Sequence, residues 1–485
     1  MSPTSAWARL LSTRRRKQSA TAVAERPANN EETRTEIERD HDRILFSTPV
    51  RRLADKTQVF PLDKNDSVRT RLTHSHEVSN LARSIGTTLA FKHGLAAELP
   101  NAKRDIPAVL AAVGLAHDLG NPPFGHQGEA SIQSWFRQHS DAVLFCLGSE
   151  QHKQDFLKFE GNAQSFRLLT RLQLLNDGYG LDLTCASLAG LMKYPTGSHQ
   201  TASGSVASKK HGFFASEQGV AEMVLAETGL SLGRRHPAAY IMEACDDIAY
   251  VVMDVEDAVK KRLASYQDVI AYLKHSSNGD ELIDAVVADS DAKHDKYRES
   301  YSLSPSELND VSMQRFRVAA IGAMVRAATD AFVAALPEFE VGTSELGLMA
   351  RSKGKKLRAL LKNFGLRNAY THRSVQKIEL EGHNAILSLM DMFWAAIRDR
   401  ATEENVGSER RHPFATFVYG RISENYRRVF EDPPSDCKGL SIRYRECQLV
   451  TDMLSGMTDT FAMDLCAELM ALKADYDVAR FLATR

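Results

Sequence analysis

Apolar residues recur at helical spacing along most of the chain. Between residues 68 and 91 they fall at Leu72, Val78, Leu81, Ile85 and Leu89, which predicts an amphipathic helix. Residues 106–119 are alanine-rich and compact, with Pro107 placed for a first helical turn. Stretches near 160–176, 312–335, 378–400, 411–430 and 440–472 repeat the pattern. Strand-like alternation is confined to KIELEG at 377–382. The expected fold class is therefore all-α (mostly), with at most one short strand pair.

One helix, starting at Pro237, carries more than a core stripe. At about 100° per residue, Ile241, Ala244, Ile248, Val251 and Val255 share one face, and Glu243, Asp246, Tyr250, Asp254 and Asp257 share the opposite one. Small and apolar residues fill the flanks (Met242, Cys245, Ala249, Val252, Met253), so the helix is expected to be buried nearly all round. Its acids then face a polar cavity or a cation in preference to bulk water. Periodicity alone does not separate these from a solvated face.

Three segments punctuate this pattern. Residues 1–35, with Arg14, Arg15, Arg16 and Lys17 and no acid before Glu25, read as a flexible basic arm. Residues 195–215 are rich in Gly, Ser and Thr and read as a mobile surface loop. Residues 277–312, polar and marked by SNGDE and SLSPSE, form a weaker boundary. The resulting division is an arm at 1–35, a core at 36–275 and a helical C-terminal region at 276–485.

Composition narrows the function classes. Lys and Arg number 61 against 62 for Asp and Glu, which argues against a protein built around non-specific nucleic-acid binding. No run of about 18 apolar residues occurs, so no transmembrane helix is expected. The six cysteines include no CxxC pair, consistent with a reducing compartment and a cytoplasmic location.

The 16 histidines carry more information, because several cluster with acids. RTRLTHSHEV (69–78) holds His74, His76 and Glu77; AHDLGNPPFGHQGEA (116–130) places His117 beside Asp118; EACDDIAY (243–250) holds Asp246 and Asp247. An imidazole from one helix, an adjacent His–Asp pair at a helix end and a carboxylate from a third helix make a mixed N/O shell. Such a shell suits one divalent ion per subunit: Mn²⁺ or Mg²⁺ first, then Fe²⁺, Co²⁺ or Zn²⁺. Two prolines stop the helix before Gly125, and His126 and Glu129 enter the next helix three apart, able to share a face.

The order H…HD…D on helices resembles the HD-domain phosphohydrolases, and more narrowly the bacterial deoxyguanosine triphosphate triphosphohydrolase (dGTPase) family. RRLADKTQVFPL (51–62), RTRLTHSHEV, HDLGNPPFGHQGEA, FEGNAQSFRLL (159–169), MEACDDIAYVVMDVEDAV (242–259) and SGMTDTFA (455–462) run in the family's order over nearly the whole chain. The resemblance implies metal ligands His74, His117, Asp118 and Asp246, and assigns His126 and Glu129 to the protons of the attacking water. His76 has no counterpart and is expected to face solvent or pack. For the substrate, Lys193, Tyr194 and Lys210 are expected near the triphosphate, Tyr250 and Asp254 near the deoxyribose, and Gln58 and Asn162 at sugar or phosphate.

The implied activity is hydrolysis of dGTP to deoxyguanosine and tripolyphosphate, with a broad-specificity dNTP triphosphohydrolase as the alternative. A homo-oligomer, commonly a hexamer, and a nucleotide or nucleic-acid effector are further expectations, with no membrane partner. A nucleic-acid-binding HD regulatory module, using the basic arm and the RRH at 410–412, is the rival from a different class. The family's two alanines before the aspartate pair become Ala244 and Cys245 here, a change the chemistry tolerates. The segment between Gln138 and Phe159 is shorter than in longer relatives, which touches base selectivity more than catalysis.

Overall fold

The stripe read over 68–91 folds as helix α1 (Arg71–Phe91), antiparallel to helix α2 (Ala102–Ala116). Two glycines let the pair approach closely. A Cβ on Gly114 would lie 2.7 Å from the Ser79 Cα, and one on Gly86 would lie 3.0 Å from the Pro107 Cα. The α2 helix starts at Ala102, earlier than its periodicity indicated, so Pro107 is interior. The Ser79 hydroxyl donates to the Ala111 carbonyl at 2.8 Å and fixes the register of the two helices.

A computed structural model describes residues 6–21, 33–62, 65, 67–173 and 178–483, and among them there is no β-strand. Three isolated bridges, Arg15–Thr184, Thr57–Thr70 and Arg400–Arg410, are the only β pairing among the described residues. The fold is all-α. Helix α3 (Gly125–Gln138) follows the proline turn, and helix α4 (Pro237–Lys260) crosses α1 and α2. Helix α5 (Arg373–Arg398) closes over α3 and includes the KIELEG segment expected as a strand. Its alternation is local; Ala385, Ile386, Leu389, Met390 and Phe393 continue at helical spacing and are buried, and that longer period decides the conformation.

Other segments also differ from expectation. The described part of the arm is docked: Trp7 and Leu10 are buried, and the Arg15 guanidinium pairs with Asp40 and Glu36. Residues 1–5 and 22–32 of that arm lie outside the described residues. The 195–215 loop is tied down, with Thr196, Ser198, Ala207 and His211 buried, because the Asp155 carboxylate accepts from Ser198 near its start and from the Ala215 N–H at its end. Helices Glu281–Ser300 and Pro305–Ala334 occupy the 277–312 stretch. Among the described residues the main hydrophobic core runs from Trp7 to Val478, with a small second cluster at Val59, Phe60, Ala258, Ala369 and Val375.

Candidate functional site

Three helices bring His74, His117 and Asp246 together. One ligand atom from each lies within 4.8 Å of the others, a spacing that would hold a metal ion. His74 comes from the first turn of α1, His117 caps the C-terminus of α2, and Asp246 projects from the polar face of α4. The His117 Nδ1–H donates to the Gly114 carbonyl at 2.7 Å, which fixes the tautomer and leaves Nε2 as a lone-pair donor. That Nε2 is buried and makes no hydrogen bond, although it lies 3.7 Å from Asp246 Oδ1. An orphaned imidazole nitrogen facing a carboxylate is the fit a divalent cation requires.

The charges agree. Burial alone would raise the Asp246 carboxyl, but the hydrogen bond from His74 at 3.2 Å and the nearby His117 and Lys193 pull it well below the carboxylate range. Burial would lower the His74 imidazole, but the bond to Asp246 together with the charges of Asp246, Asp118 and Asp254 raises it. Asp118 stands apart from the tight cluster. One of its oxygens pairs with the Arg71 guanidinium, while the other accepts from the Asn121 amide at 2.6 Å and lies 3.5 Å from His117 Nε2. Burial opposes its ionisation, but Arg71 and His117 hold its carboxyl far below the usual range.

The next turn brings His126 and Glu129 together. Phe124 and Gly125 both adopt left-handed backbone, with φ of 61° and 55°, and turn the chain into α3. His126 Nδ1 then lies 3.1 Å from Glu129 Oε2, one turn on, with the imidazole 86% exposed and the carboxylate 6%. The Gly161 N–H donates to Glu129 Oε1 at 2.7 Å. The bond to Glu129 is the main reason that the His126 imidazole is raised; burial would raise Glu129, but His126 and Lys210 lower it.

Cations line the same cleft. Lys210 Nζ lies 2.5 Å from Glu160 and 4.0 Å from Glu129, and the Asn162 amide donates to Glu160 at 2.6 Å. Lys193 Nζ lies 3.7 Å from both Asp246 and Glu243, and Glu243 in turn pairs with Arg235 at 2.7 Å. The Arg235 guanidinium sits over the buried Tyr194 ring. Further along α4, Tyr250 stacks on Tyr370 with centroids 5.8 Å apart, and the Tyr370 hydroxyl donates to Asp254. Burial pushes the Asp254 carboxyl up to about 8 and the Tyr250 hydroxyl up to about 12. Gln58 has a buried Oε1 with no hydrogen-bond partner.

The HD domain model matches residues 71–159, the span from α1 past the Asn121–Gly125 turn. A "deoxyguanosinetriphosphate triphosphohydrolase-like protein" of Listeria monocytogenes is 32% identical, over 96% of this chain and 99% of its own length. A "deoxyguanosinetriphosphate triphosphohydrolase" of Salmonella typhimurium is also 32% identical, over 90% of this chain and 94% of its own. The chain belongs to the dGTPase family of HD phosphohydrolases. Like the rest of that family it is a hydrolase with a site for a divalent metal. Among the described residues no helix is long and apolar enough to cross a membrane.

Several residues around this dGTPase-family site carry no signal of their role in the sequence alone. Arg71 was indistinguishable from an intrahelical ion-pair partner, yet it reaches Asp118. Tyr370 and Arg235 come from segments with no distinctive spacing, and Glu160, although within FEGNAQSFRLL, is marked by nothing local as the partner of Lys210. The acid row of α4 does not face water: besides Glu243, Asp246 and Asp254, Asp257 pairs with Arg69 at 2.5 Å. Asp247, at the edge of that row, pairs with Arg358 at 2.8 Å, away from the cluster. His76 is exposed. In the RRH at 410–412, Arg410 is buried against the Tyr419 ring and His412 caps the following helix.

Proposed function

We propose that the protein hydrolyses dGTP to deoxyguanosine and inorganic tripolyphosphate. The carrying observation is the adjacency of a three-helix His/Asp cluster to the His126–Glu129 pair, with Lys193 and Lys210 on either side. His74, His117 and Asp246 would hold the divalent ion, with Asp118 reaching it by turning from Arg71; the mixed N/O donors favour Mn²⁺ or Mg²⁺. When bound, the ion supplies Lewis-acid stabilisation of charge on the phosphoryl oxygens.

The residues of the chain divide the remaining work. Water attacks the α-phosphorus, the bond from phosphorus to the 5′-oxygen breaks, and the 5′-oxygen leaves with a proton as deoxyguanosine. Glu129 engages Nδ1 of His126, so Nε2 is the atom that exchanges protons with the incoming water and the departing oxygen. Lys193 and Lys210 neutralise the triphosphate, and Tyr194 and Asn162 hold its edge. Tyr250, backed by Tyr370, stacks under the deoxyribose where a 2′-hydroxyl would clash, while Asp254 and Gln58 meet the sugar hydroxyl.

Preference for guanine is supported by Glu379 of α5. It is half-buried and raised by burial, has no hydrogen-bond or ion-pair partner among the described residues, and shares a helix face with Gly382 and His383. Gly382 packs on the Phe124 ring and His383 lies 2.8 Å from the Ser131 hydroxyl, so that face borders the catalytic turn. A carboxylate there matches the two N–H donors on guanine's pairing edge. The reading includes a cytoplasmic homo-oligomer.

The test is hydrolysis of each dNTP with Mn²⁺ or Mg²⁺, with products separated by anion exchange and identified by phosphorus NMR. Deoxyguanosine and tripolyphosphate, with dGTP preferred, are expected. Comparable turnover of all four dNTPs would replace dGTP selectivity with broad specificity. Pyrophosphate or orthophosphate as first product would overturn attack at the α-phosphorus. DNA binding that is steeply salt-dependent, with no turnover, would establish the regulatory-module rival.

A further inference from the structure

Two motifs contribute no group to the metal cluster or the proton transfer: RRLADKTQVFPL at 51–62, of which only Gln58 is placed at the substrate, and SGMTDTFA at 455–462. Nearly 400 residues apart, they meet beneath the catalytic turn. The buried Lys56 ammonium donates to the Asn121 carbonyl at 2.6 Å and to the Ser455 carbonyl at 2.7 Å. Asp459, 1% exposed, accepts the Phe124 N–H on Oδ1 at 3.0 Å and the Thr57 N–H on Oδ2 at 2.9 Å, with the Thr57 hydroxyl donating to the same oxygen. Arg52 donates to the Gly456 carbonyl at 2.9 Å and Thr460 to Asp55 at 2.8 Å, closing the seam on both sides.

The turn between these anchors is the one that needs them. Phe124 is left-handed without being glycine, a conformation that persists only where the surroundings impose it. It has no slack: a Cβ on Gly125 would meet the Arg71 guanidinium at 2.4 Å, and one on Gly128 would meet the Pro123 carbonyl at 2.0 Å. Its first residue, Asn121, binds Asp118, and its last leads into His126. The geometry points to Asp459 as a positioning residue for hydrolysis: with Lys56 it holds both ends of the Asn121–Gly125 turn and so fixes His126 relative to Asp118. Asp459 touches no reacting atom; its effect passes through the Phe124 amide. This rests on the hydrolytic reading above.

The experiment compares Asp459→Ala and Asp459→Asn with the wild-type chain in Mn²⁺, recording kcat and KM for dGTP, melting temperature and amide exchange over residues 121–130. Asp399→Asn is the control, because Asp399 is equally buried and accepts from Tyr476 and Arg480 away from the turn. Misplacing His126 by about 1 Å is expected to lower kcat about 100-fold in Asp459→Ala, with KM changed less than about threefold. Faster exchange at 121–130 accompanies it. Asp459→Asn keeps an acceptor for the Phe124 N–H and recovers part of the rate; it carries the test if the alanine variant is insoluble.

Overturning results are a kcat within twofold of wild type in the folded variants, unchanged exchange at 121–130, or an equal kcat loss in Asp399→Asn. If the wild-type chain turns over no dNTP, the hydrolytic reading has failed. Exchange then decides on its own whether Asp459 holds the turn.

Discussion

Replacing Glu129 with Gln removes one charge and almost nothing else. The isosteric amide keeps an oxygen for the Gly161 N–H, a bond of 2.7 Å whose net contribution is about 1 kcal/mol. Lys210 retains Glu160 at 2.5 Å. The change also removes a negative charge from beside the buried Glu160, whose carboxyl burial and Glu129 together raise. Fold stability should therefore move by no more than about 1 kcal/mol. His126 loses the carboxylate 3.1 Å from Nδ1, and proton transfer through that imidazole should fall by about 10²- to 10⁴-fold in kcat.

The pH profile sharpens the test. The hydrogen bond to Glu129 is the principal reason that the His126 imidazole is raised, so Glu129→Gln lowers its pKa. The limb of the rate profile on which the imidazolium loses its proton then moves to lower pH. Steady-state kinetics across pH 5–9, with a denaturation curve for each variant, supply the numbers. A folded Glu129→Gln protein that retains more than about a tenth of wild-type kcat would refute the proton-transfer role. An unshifted limb would refute the coupling to His126.

Further outcomes follow from other contacts. Removing metal with a chelator should abolish turnover, and adding Mn²⁺ at 100 times its Kd should stabilise the fold by about 2.7 kcal/mol; His117→Ala should erase that shift in a melting curve. Tyr250→Ala, which unstacks the Tyr370 ring, should raise KM for dGTP and shrink the ratio of kcat/KM for dGTP over GTP; an unchanged ratio removes Tyr250 from sugar discrimination. Burial lowers the His236 imidazole to about 4, and its ring is fixed between the Ala238 N–H and the Leu10 carbonyl. The unfolded chain binds the extra proton between about pH 6.5 and 4, so stability is full above that window and falls as pH drops through it. Urea midpoints for His236→Asn should show a shallower loss over the same range.

Much of the site was legible because its chemistry is local in sequence. His117 and Asp118 are adjacent at a helix end, His126 and Glu129 are one turn apart after two prolines, and Asp246, Tyr250 and Asp254 recur along one helix face. Helical spacing also carried the fold class, since repeated burial of every third or fourth residue leaves few alternatives to packed helices. Local patterns misled where a short stretch mimicked something else. KIELEG alternates like a strand inside a 26-residue helix, and the Gly/Ser-rich 195–215 segment is pinned by Asp155 from a helix more than 40 residues earlier.

The sequence by itself determined the all-α architecture, the H…HD…D order and the His126–Glu129 pair. Tertiary structure decided what the acids on α4 face and which cations reach the cleft. It also decided how a left-handed phenylalanine is held in the Asn121–Gly125 turn. Those answers depend on Arg71, Lys210, Tyr370 and Asp459 converging from separated segments. Periodicity reports only which side of its own helix a residue occupies; whether a charge there meets water, a counter-ion or an amide is set by the surface packed against it.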